Sequence, residues 1–356
     1  MANCMRFLCV LCAFVVSLSA ADKKPLVKPD SAEEKALFQA RTESDPARRL
    51  AMLDAFVQKF PESAPAAHSG YLGHYLETKE WEKALEYGRK AYEADNEDEE
   101  VPINLMKAAL GKGDLAVAVE WGSVAGALMG KVLAKPENAD DASLKTQRAQ
   151  MEYTTFDAAL RVKDPAQRAK SLEQLIAGFA GGNYAKLANA ALAVAYQQAG
   201  DAAKMTASAE KALEVDPQNE TMHLLLGETS LGQKRLDQAT QHAQSVLKIF
   251  ETKTRLESMA EADWVNYQKN YRGAAQSIIG RALMQQEKTE AAIPELKSAA
   301  DLLAGNQEAL APVLYNLAFG YAKLKRLAEA RAVLTRAVQI PGPFQKLSRD
   351  LAAKIK

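Results

Sequence analysis

The chain has 356 residues, in which 45 Lys and Arg are balanced by 45 Asp and Glu, so the formal net charge is zero. This balance provides no excess positive charge for a nucleic-acid backbone and no acidic bias toward disorder, so we expect no nucleic-acid partner. The length exceeds that of most single compact cores and predicts either several domains or an extended array of repeats.

The first segment, residues 1–21, has the composition of a signal peptide. Its only charged residue, Arg6, precedes an apolar run from Phe7 to Val16, and the segment ends in small residues. The run is shorter than the roughly 20 residues that span a bilayer, which favours cleavage and leaves no integral membrane span. We therefore expect an exported bacterial protein, either periplasmic or secreted.

The three cysteines of the chain, Cys4, Cys9 and Cys12, all lie in this segment. A mature chain would therefore contain neither a disulfide nor a thiol nucleophile. Residues 22–30 follow and are rich in lysine and proline, a composition that predicts a solvated linker before the first helix.

A spacing of 34 residues recurs along the rest of the chain. Short side chains dominate two positions of this repeat, the twentieth and the twenty-seventh, where helices can then approach closely. Turns such as Gly113-Asp114 and Gly200-Asp201 separate the two halves, because glycine can end one helix and aspartate can cap the next. The segments that align without internal gaps begin at Pro65, Glu99, Lys186, Glu220, Gly273 and Ala311.

In these features the sequence resembles the tetratricopeptide repeat family, whose 34-residue unit is a pair of antiparallel helices. The resemblance implies an all-α fold, a right-handed α-solenoid of stacked antiparallel helix pairs with about eight units. Besides the alanines, the residues that carry it are Leu226-Gly227, Ile279-Gly280, Tyr75, Tyr196, Tyr321 and Pro217. At the fourth position, where the family has tryptophan, the chain has His68, Pro102, Asn189, His223, Gln276 and Leu314.

A longer repeat overlies the short one. The run from Asp45 to Arg49 recurs as the run from Asp164 to Arg168, 119 residues later. Each copy opens with a less regular helical pair, which predicts a duplication of three units with a linker. The predicted organisation is a first block at 31–133, an inter-block loop at 134–146, a second block at 147–253, an inter-block segment at 254–265, a third, partial block at 266–343 and a capping helix at 344–356.

The last segment has Phe344, Leu347, Leu351 and Ile355 at helical spacing. A helix with this apolar stripe would cover the open end of the array, as solenoids require.

Motifs of catalysis and metal binding are absent from the sequence: it has no Gly-x-Ser-x-Gly elbow, no His-Glu-x-x-His helix and no dinucleotide fingerprint. We interpret His68 and His223 as packing residues, the run 111–114 as an interhelical turn, and the acidic run 95–100 as a solvated turn. We therefore expect no enzyme activity, no cofactor and no metal site. The alternatives are an accessory or hydrolytic envelope enzyme on a repeat scaffold, or a small-molecule binder.

The resemblance implies that the first helices line a concave surface that binds a peptide or a partner protein. Tyr315 and Phe319 are four residues apart and share a helical face, so with nearby cations and amides they resemble an interaction hot spot. Alternatively, both aromatics pack against adjoining helices or the terminal segment. The candidate partner-binding residues are Arg281, Tyr315, Asn316, Phe319 and Lys323, followed by Asn104, Lys107, Gln197, Gln198 and Glu228.

Some relatives use a clamp of basic and asparagine side chains to hold the acidic tails of cytosolic chaperones. The matching positions of two adjacent units here are Ala66, Ser69, Gly70 and Gly73, then Glu100, Ile103, Asn104 and Lys107. The clamp is therefore absent, and we expect a different partner.

Overall fold

The computed structural model describes residues 26–355. The predicted signal peptide and part of the predicted linker lie outside the described residues. Within residues 26–355 the chain forms seventeen α-helices and two short 3-10 helices, and this part contains no β-strand. The prediction of an all-α repeat fold is confirmed.

The chain divides after Lys112 into two compact units, a boundary that falls inside the predicted first block, 31–133. Unit 1 contains α1 (Ala32–Thr42), α2 (Pro46–Lys59), α3 (Ala64–Glu77), α4 (Trp81–Ala94) and α5 (Glu100–Lys112). Unit 2 contains α6 (Leu115–Leu133), α7 (Ala142–Arg161), α8 (Pro165–Gly178), α9 (Asn183–Ala199), α10 (Ala202–Val215), α11 (Glu220–Gly232), α12 (Leu236–Thr252), α13 (Glu261–Gln285), α14 (Thr289–Leu302), α15 (Gln307–Lys323), α16 (Leu327–Ala337) and α17 (Pro343–Lys354). The 3-10 helices are Pro61–Ser63 and Pro136–Asn138.

Consecutive helices pack against each other as pairs: α1 with α2 and α3 with α4 in unit 1, and α7 with α8 through α15 with α16 in unit 2. Following the repeat, we call the odd-numbered helices α1 to α15 first helices and the even-numbered ones second helices. First helices also contact one another, α3 packing against α1 and α5, α7 against α9, and α13 against α11 and α15. Side chains of neighbouring first helices therefore share a surface.

The turn inside each repeat has one backbone requirement. Its fifteenth position is left-handed in all six segments, with φ between 59° and 85°. Only two of these residues are glycine, the residue that adopts such a conformation without steric cost. The six residues are Lys79, Gly113, Gly200, Lys234, Glu287 and Lys325.

Glycine also permits close approach between helices. A Cβ added to Gly178 on α8 would lie 2.3 Å from the carbonyl oxygen of Ser123 on α6. Because that neighbour is backbone, it cannot move aside as a flexible side chain can. The contact illustrates why small residues recur where helices pack.

Two helices begin before the point that the sequence predicts. α7 starts at Ala142, inside the predicted loop 134–146, because the Asp141 carboxylate accepts the backbone N–H groups of Ser143 and Leu144 at 2.8 and 3.0 Å.

α13 starts at Glu261, inside the predicted segment 254–265. Trp264 in its first turn is only 8% exposed, and its ring lies 6.0 Å from that of Phe250 on α12. Burial of this aromatic surface stabilises the added turns.

Among residues 26–355, α6 alone is long and apolar enough to cross a membrane, with a mean hydropathy of 1.3. Half of its apolar stretch is buried inside the structure, and it packs against α7 and α8. This burial is typical of a core helix.

The terminal helix α17 packs against α15 and α16. Phe344, Leu351 and Ile355 contact the apolar cluster formed by α14 to α16. Leu347, by contrast, is 43% exposed, and the neighbouring Ser348 is fully buried. Leu347 therefore lies outside the apolar stripe that the sequence predicts.

Candidate interaction surface

Exposed apolar side chains are concentrated on the first helices. Within the described residues, large apolar side chains that are at least a third exposed occur on first helices at Phe38, Tyr153, Leu160, Leu187, Val265 and Phe319. Second helices carry only two, Val215 at the end of α10 and Leu327 at the start of α16. In unit 2 the first helices that carry these residues pack against neighbouring first helices, α7 against α9 and α13 against α11 and α15. We call the exposed surface of these first helices of unit 2 the first-helix face.

The largest cluster on this face joins α7 and α9. The Tyr184 ring lies 5.3 Å from that of Tyr153 and 5.4 Å from that of Phe156. Leu160 lies one turn beyond Phe156, and Leu187 lies one turn beyond Tyr184, so both extend the same helical faces. We call these five residues the Tyr153 patch. The patch was not predicted from the sequence because α7 belongs to the less regular helical pair that opens the second block. Its visible signal was the spacing of aromatic residues along a helix.

The predicted aromatic pair on α15 is divided between two environments. The rings of Tyr315 and Phe319 are stacked, 6.4 Å apart. Tyr315 also packs against Phe344 of α17, at 5.8 Å, as the alternative interpretation held. Phe319 remains 44% exposed. Only Phe319 of the two thus presents much of its ring to solvent.

The polar candidates on α15 differ in the same way. The side-chain amide of Asn316 donates to the carbonyl oxygen of Pro312 at 2.8 Å, whereas Lys323 is exposed. The Asn316 side chain is thus hydrogen-bonded within α15, and Lys323 is the more accessible of the two.

Two other predicted residues are brought together across neighbouring first helices. Nη1 of Arg281 on α13 donates to both carboxylate oxygens of Glu228 on α11, at 2.7 and 3.0 Å. No cation–π contact joins Arg281 to Phe319 in the described residues. The ion pair is half exposed, so its contribution to stability is small.

The remaining candidates are dispersed. Gln198 accepts a hydrogen bond from Arg168 of α8, and Gln197 beside it is exposed. In unit 1, Nζ of Lys107 donates to Oδ1 of Asn104 at 3.2 Å. Asn104 also lines a groove in that unit.

This groove, which we call the unit 1 groove, has a volume of about 250 Å³. Its lining comes from α1, α2, α3 and the start of α5. The lining residues are Arg41, Arg49, Ser69, Gly70, Leu72, Gly73, His74, Asp98, Glu100, Val101 and Asn104.

Charged groups in the groove influence one another. Burial raises the pKa of Asp98, as does the charge of Asp95, whereas the Glu100 backbone N–H and Arg41 act in the opposite direction. Burial, followed by the charge of Asp98, raises the pKa of Glu100. Burial lowers the pKa of His74, and the charge of Arg49 lowers it further. A cation placed near the two carboxylates would stabilise their ionised forms.

A histidine pair lies between α11 and α12. Nδ1 of His223 is 3.1 Å from Nδ1 of His242, and Nε2 of His223 is 3.1 Å from the carbonyl oxygen of Pro217. A carbonyl only accepts, so Nε2 of His223 carries the proton, and Nδ1 of neutral His223 accepts from His242. The described residues contain no cluster of three or more His, Cys, Asp or Glu side chains that could hold a metal ion.

Comparison with known proteins identifies two of the repeats. Residues 188–219 and 311–342 match the tetratricopeptide repeat family model. They cover most of the α9–α10 and α15–α16 pairs. No curated protein matches the sequence.

Several solved structures are similar to this chain at low identity. The APC/C hetero-tetramer Cut9-Hcn1 gives 14% identity and a TM-score of 0.45 over 91% of this chain and 54% of that chain. PilF of Pseudomonas aeruginosa gives 18% identity and a TM-score of 0.42 over 57% of this chain and 90% of that chain. The TPR domain of P58(IPK) gives 15% identity and a TM-score of 0.35 over 91% of this chain and 97% of that chain. This chain spans about half the length of the first of these.

Proposed function

We propose that this chain, which carries tetratricopeptide repeats, is an exported scaffold that binds a peptide or a partner protein on its first-helix face. The observation that carries the proposal is the distribution of exposed apolar side chains, which favours first helices over second helices. Apolar groups clustered at a surface mark interaction sites, because burying them against a partner is favourable. The proposal assigns the protein no catalytic role.

The Tyr153 patch is the part of this face best suited to hold a partner. The side chains of Tyr153 and Leu187 are each more than half exposed, and the rings of Phe156 and Tyr184 beside them are half-buried. Buried aromatic anchors supply much of the binding free energy at protein interfaces. We expect the partner to contribute apolar side chains that pack between α7 and α9.

Partner capture from the native host tests this assignment. Full-length protein with Tyr153→Ala and Leu187→Ala should lose the partner, because both changes remove apolar contact area. The matched control replaces the exposed residues Val215 and Leu327 by alanine on second helices, and it should retain the partner. If both doubly substituted proteins are folded and capture the same partner equally, the first-helix face is not the binding surface.

A second variant, Phe319→Ala, asks whether binding extends to α15. Phe319 is preferable to Tyr315 for this purpose, because Tyr315 packs against the terminal helix. Weaker capture by Phe319→Ala would extend the site to α15, and unchanged capture would confine it to the Tyr153 patch.

Export is supported by the composition of residues 1–21, in which Arg6 precedes an apolar run and small residues end the segment. N-terminal sequencing of protein purified from its native host should give a chain that begins near Ala21 or Asp22. An intact Met1 on protein recovered from the cytoplasm would contradict this part of the proposal.

A further inference from the structure

The unit 1 groove carries opposite charges that do not pair with one another. Arg41 belongs to α1, whereas Asp98 precedes α5 and Glu100 is its first residue. Helices α1 and α5 both pack against α3, and the charge of Arg41 lowers the pKa of both carboxylates against the opposing effect of burial. No ion pair joins Arg41 to either carboxylate in unit 1, although all three line the same groove. The groove thus presents groups of both charges to a ligand.

Arg41 has hydrogen-bond donors to spare. Its Nη2 donates to the carbonyl oxygen of Ala66 at 2.7 Å and to the Ser69 hydroxyl, and these bonds orient the guanidinium. Nε and Nη1 form no hydrogen bond with another described residue of unit 1. Arg49 differs, because it donates to the Glu43 carbonyl and pairs with Glu77. Arg41 is therefore the arginine available to a carboxylate.

His74 provides an independent sign of a ligand site. Its side chain is 3% exposed and lines the groove, yet its Nδ1 is buried with no hydrogen-bond partner in the described residues. Buried polar atoms are paired in most native structures, since leaving one unpaired is unfavourable. A polar group of a bound molecule would supply the missing partner once the imidazole turns toward the groove.

The floor of the groove leaves room for such a molecule. A Cβ added to Gly73 would meet no atom within 4 Å, whereas one added to Gly70 would lie 2.8 Å from Leu53. The space above Gly73 is therefore open. The groove volume of about 250 Å³ is below the roughly 300–1,000 Å³ of drug-sized pockets, so it suits a small ligand.

We propose that the unit 1 groove binds a small zwitterion, between an amino acid and a dipeptide in size. The ligand carboxylate accepts from Arg41, its ammonium group donates to Asp98 or Glu100, and a polar group pairs with Nδ1 of His74. This site lies wholly in unit 1, so the inference does not depend on partner binding at the Tyr153 patch.

Defined probes test this proposal. Alanine and alanyl-alanine are each titrated into the full chain by isothermal titration calorimetry, together with N-acetyl-alanyl-alanine and alanyl-alanine amide. The blocked forms lack the ammonium charge and the carboxylate, respectively. At least one zwitterion should bind, and each blocked form should bind about tenfold more weakly, because each loses a charge-assisted hydrogen bond.

Variants locate the site. Gly73→Leu fills open space in the groove and should abolish binding, whereas Gly232→Leu, at another glycine whose added Cβ meets no atom within 4 Å, should leave it unchanged. Arg41→Gln should weaken binding of the zwitterion about tenfold and abolish its preference over the amide. Circular dichroism melts verify that each variant is folded.

Three results would overturn the proposal. These are the absence of binding by both zwitterions, equal binding of the blocked and unblocked dipeptides, and binding that survives Gly73→Leu in a folded protein. Because Gly73→Leu creates no clash at Cβ, the test stands even if Arg41→Gln impairs folding.

Discussion

Single residues decide the geometry of the turn within each repeat. Gly200 has φ of 80° and ends α9, and a Cβ added there would meet no neighbouring atom. Its role is therefore conformational, and only the left-handed backbone opposes a side chain. Gly73, inside α3, has equally open surroundings but a right-handed helical backbone.

We expect Gly200→Ala to lower the free energy of unfolding by about 1–2 kcal/mol, because an L-residue is strained in the left-handed region. Gly73→Ala should instead raise it by about 0.4–1 kcal/mol, since alanine restricts the unfolded chain without strain. Urea unfolding of both variants measures the contrast. Equal effects of the two substitutions would show that the turn tolerates a side chain.

The histidine pair predicts a loss of stability in acid. Burial, followed by the charges of His223 and Arg235, lowers the pKa of His242 below its ordinary value of 6.5. A histidine with a lowered folded pKa contributes stability that is fully present above the unfolded pKa and is lost as pH falls through the folded value. Protonating both rings would also place two Nδ1–H donors 3.1 Å apart.

The melting temperature should therefore decrease as pH falls below about 6.5, and His242→Asn should reduce that decrease. Thermal melts of the parent and the variant from neutral to mildly acidic pH test this. A residual decrease is expected in the variant, because burial also lowers the pKa of His68 and His74. Identical pH profiles would exclude a role for the pair.

At the scale of elements, tertiary contacts decide where helices begin and which face of each is covered. The first turns of α13 are held by side chains from other helices: Glu220 of α11 accepts from the Tyr267 hydroxyl and from Lys253, which follows α12. Glu220 is almost fully buried, and burial raises its pKa, but these two donors outweigh burial and hold the pKa below the ordinary value.

The terminal helix offers a test with an internal control. Leu351 contacts the apolar cluster of α14 to α16, whereas Leu347 on the same helix is 43% exposed. Leu351→Asp should lower the free energy of unfolding by about 2 kcal/mol or more, because it forces a charge against apolar groups or detaches α17. Leu347→Asp should change it little, as is usual for a surface site. Chemical unfolding would refute the assigned face if the two variants lost equal stability.

At the scale of the whole molecule, the longer repeat in the sequence is matched by contacts inside each unit. In unit 1 the Arg49 guanidinium donates to the carbonyl oxygen of Glu43 at 2.8 Å. In unit 2 the Arg168 guanidinium donates to the carbonyl oxygen of Val162 at 3.2 Å. The carboxylates of Asp45 and Asp164 cap α2 and α8, each by accepting a hydrogen bond from the backbone N–H three residues later. These contacts lie at positions that the sequence relates by 119 residues.

The composition of the described residues gives a prediction for the molecule as a whole. Residues 26–355 contain no cysteine and consist mainly of helix. A chain that begins at Asp22 should therefore give a helical circular dichroism spectrum and the same melting temperature with and without a reductant or a chelator. A chelator-dependent melting temperature would reveal a metal site that neither the sequence nor the structure indicates.

The sequence by itself determined the repeating helices and their turns, because these depend on local features. Short residues at fixed spacing, Asp45 and Asp164 as caps, and glycine at position 200 act within a few residues of themselves. The small-residue pattern therefore predicted the helix pairs correctly, although the predicted first block extended across the division at Lys112.

Only the tertiary structure decided which side chains meet. Arg281 forms an ion pair with Glu228 rather than lying beside Phe319. The ring of Tyr315 packs against both Phe319 and Phe344 of the terminal helix. The Tyr153 patch and the unit 1 groove likewise combine residues from separate helices, so neither has a contiguous sequence signature. The physical reason is that helical periodicity fixes the face on which a residue lies, whereas packing of neighbouring helices fixes what that face contacts.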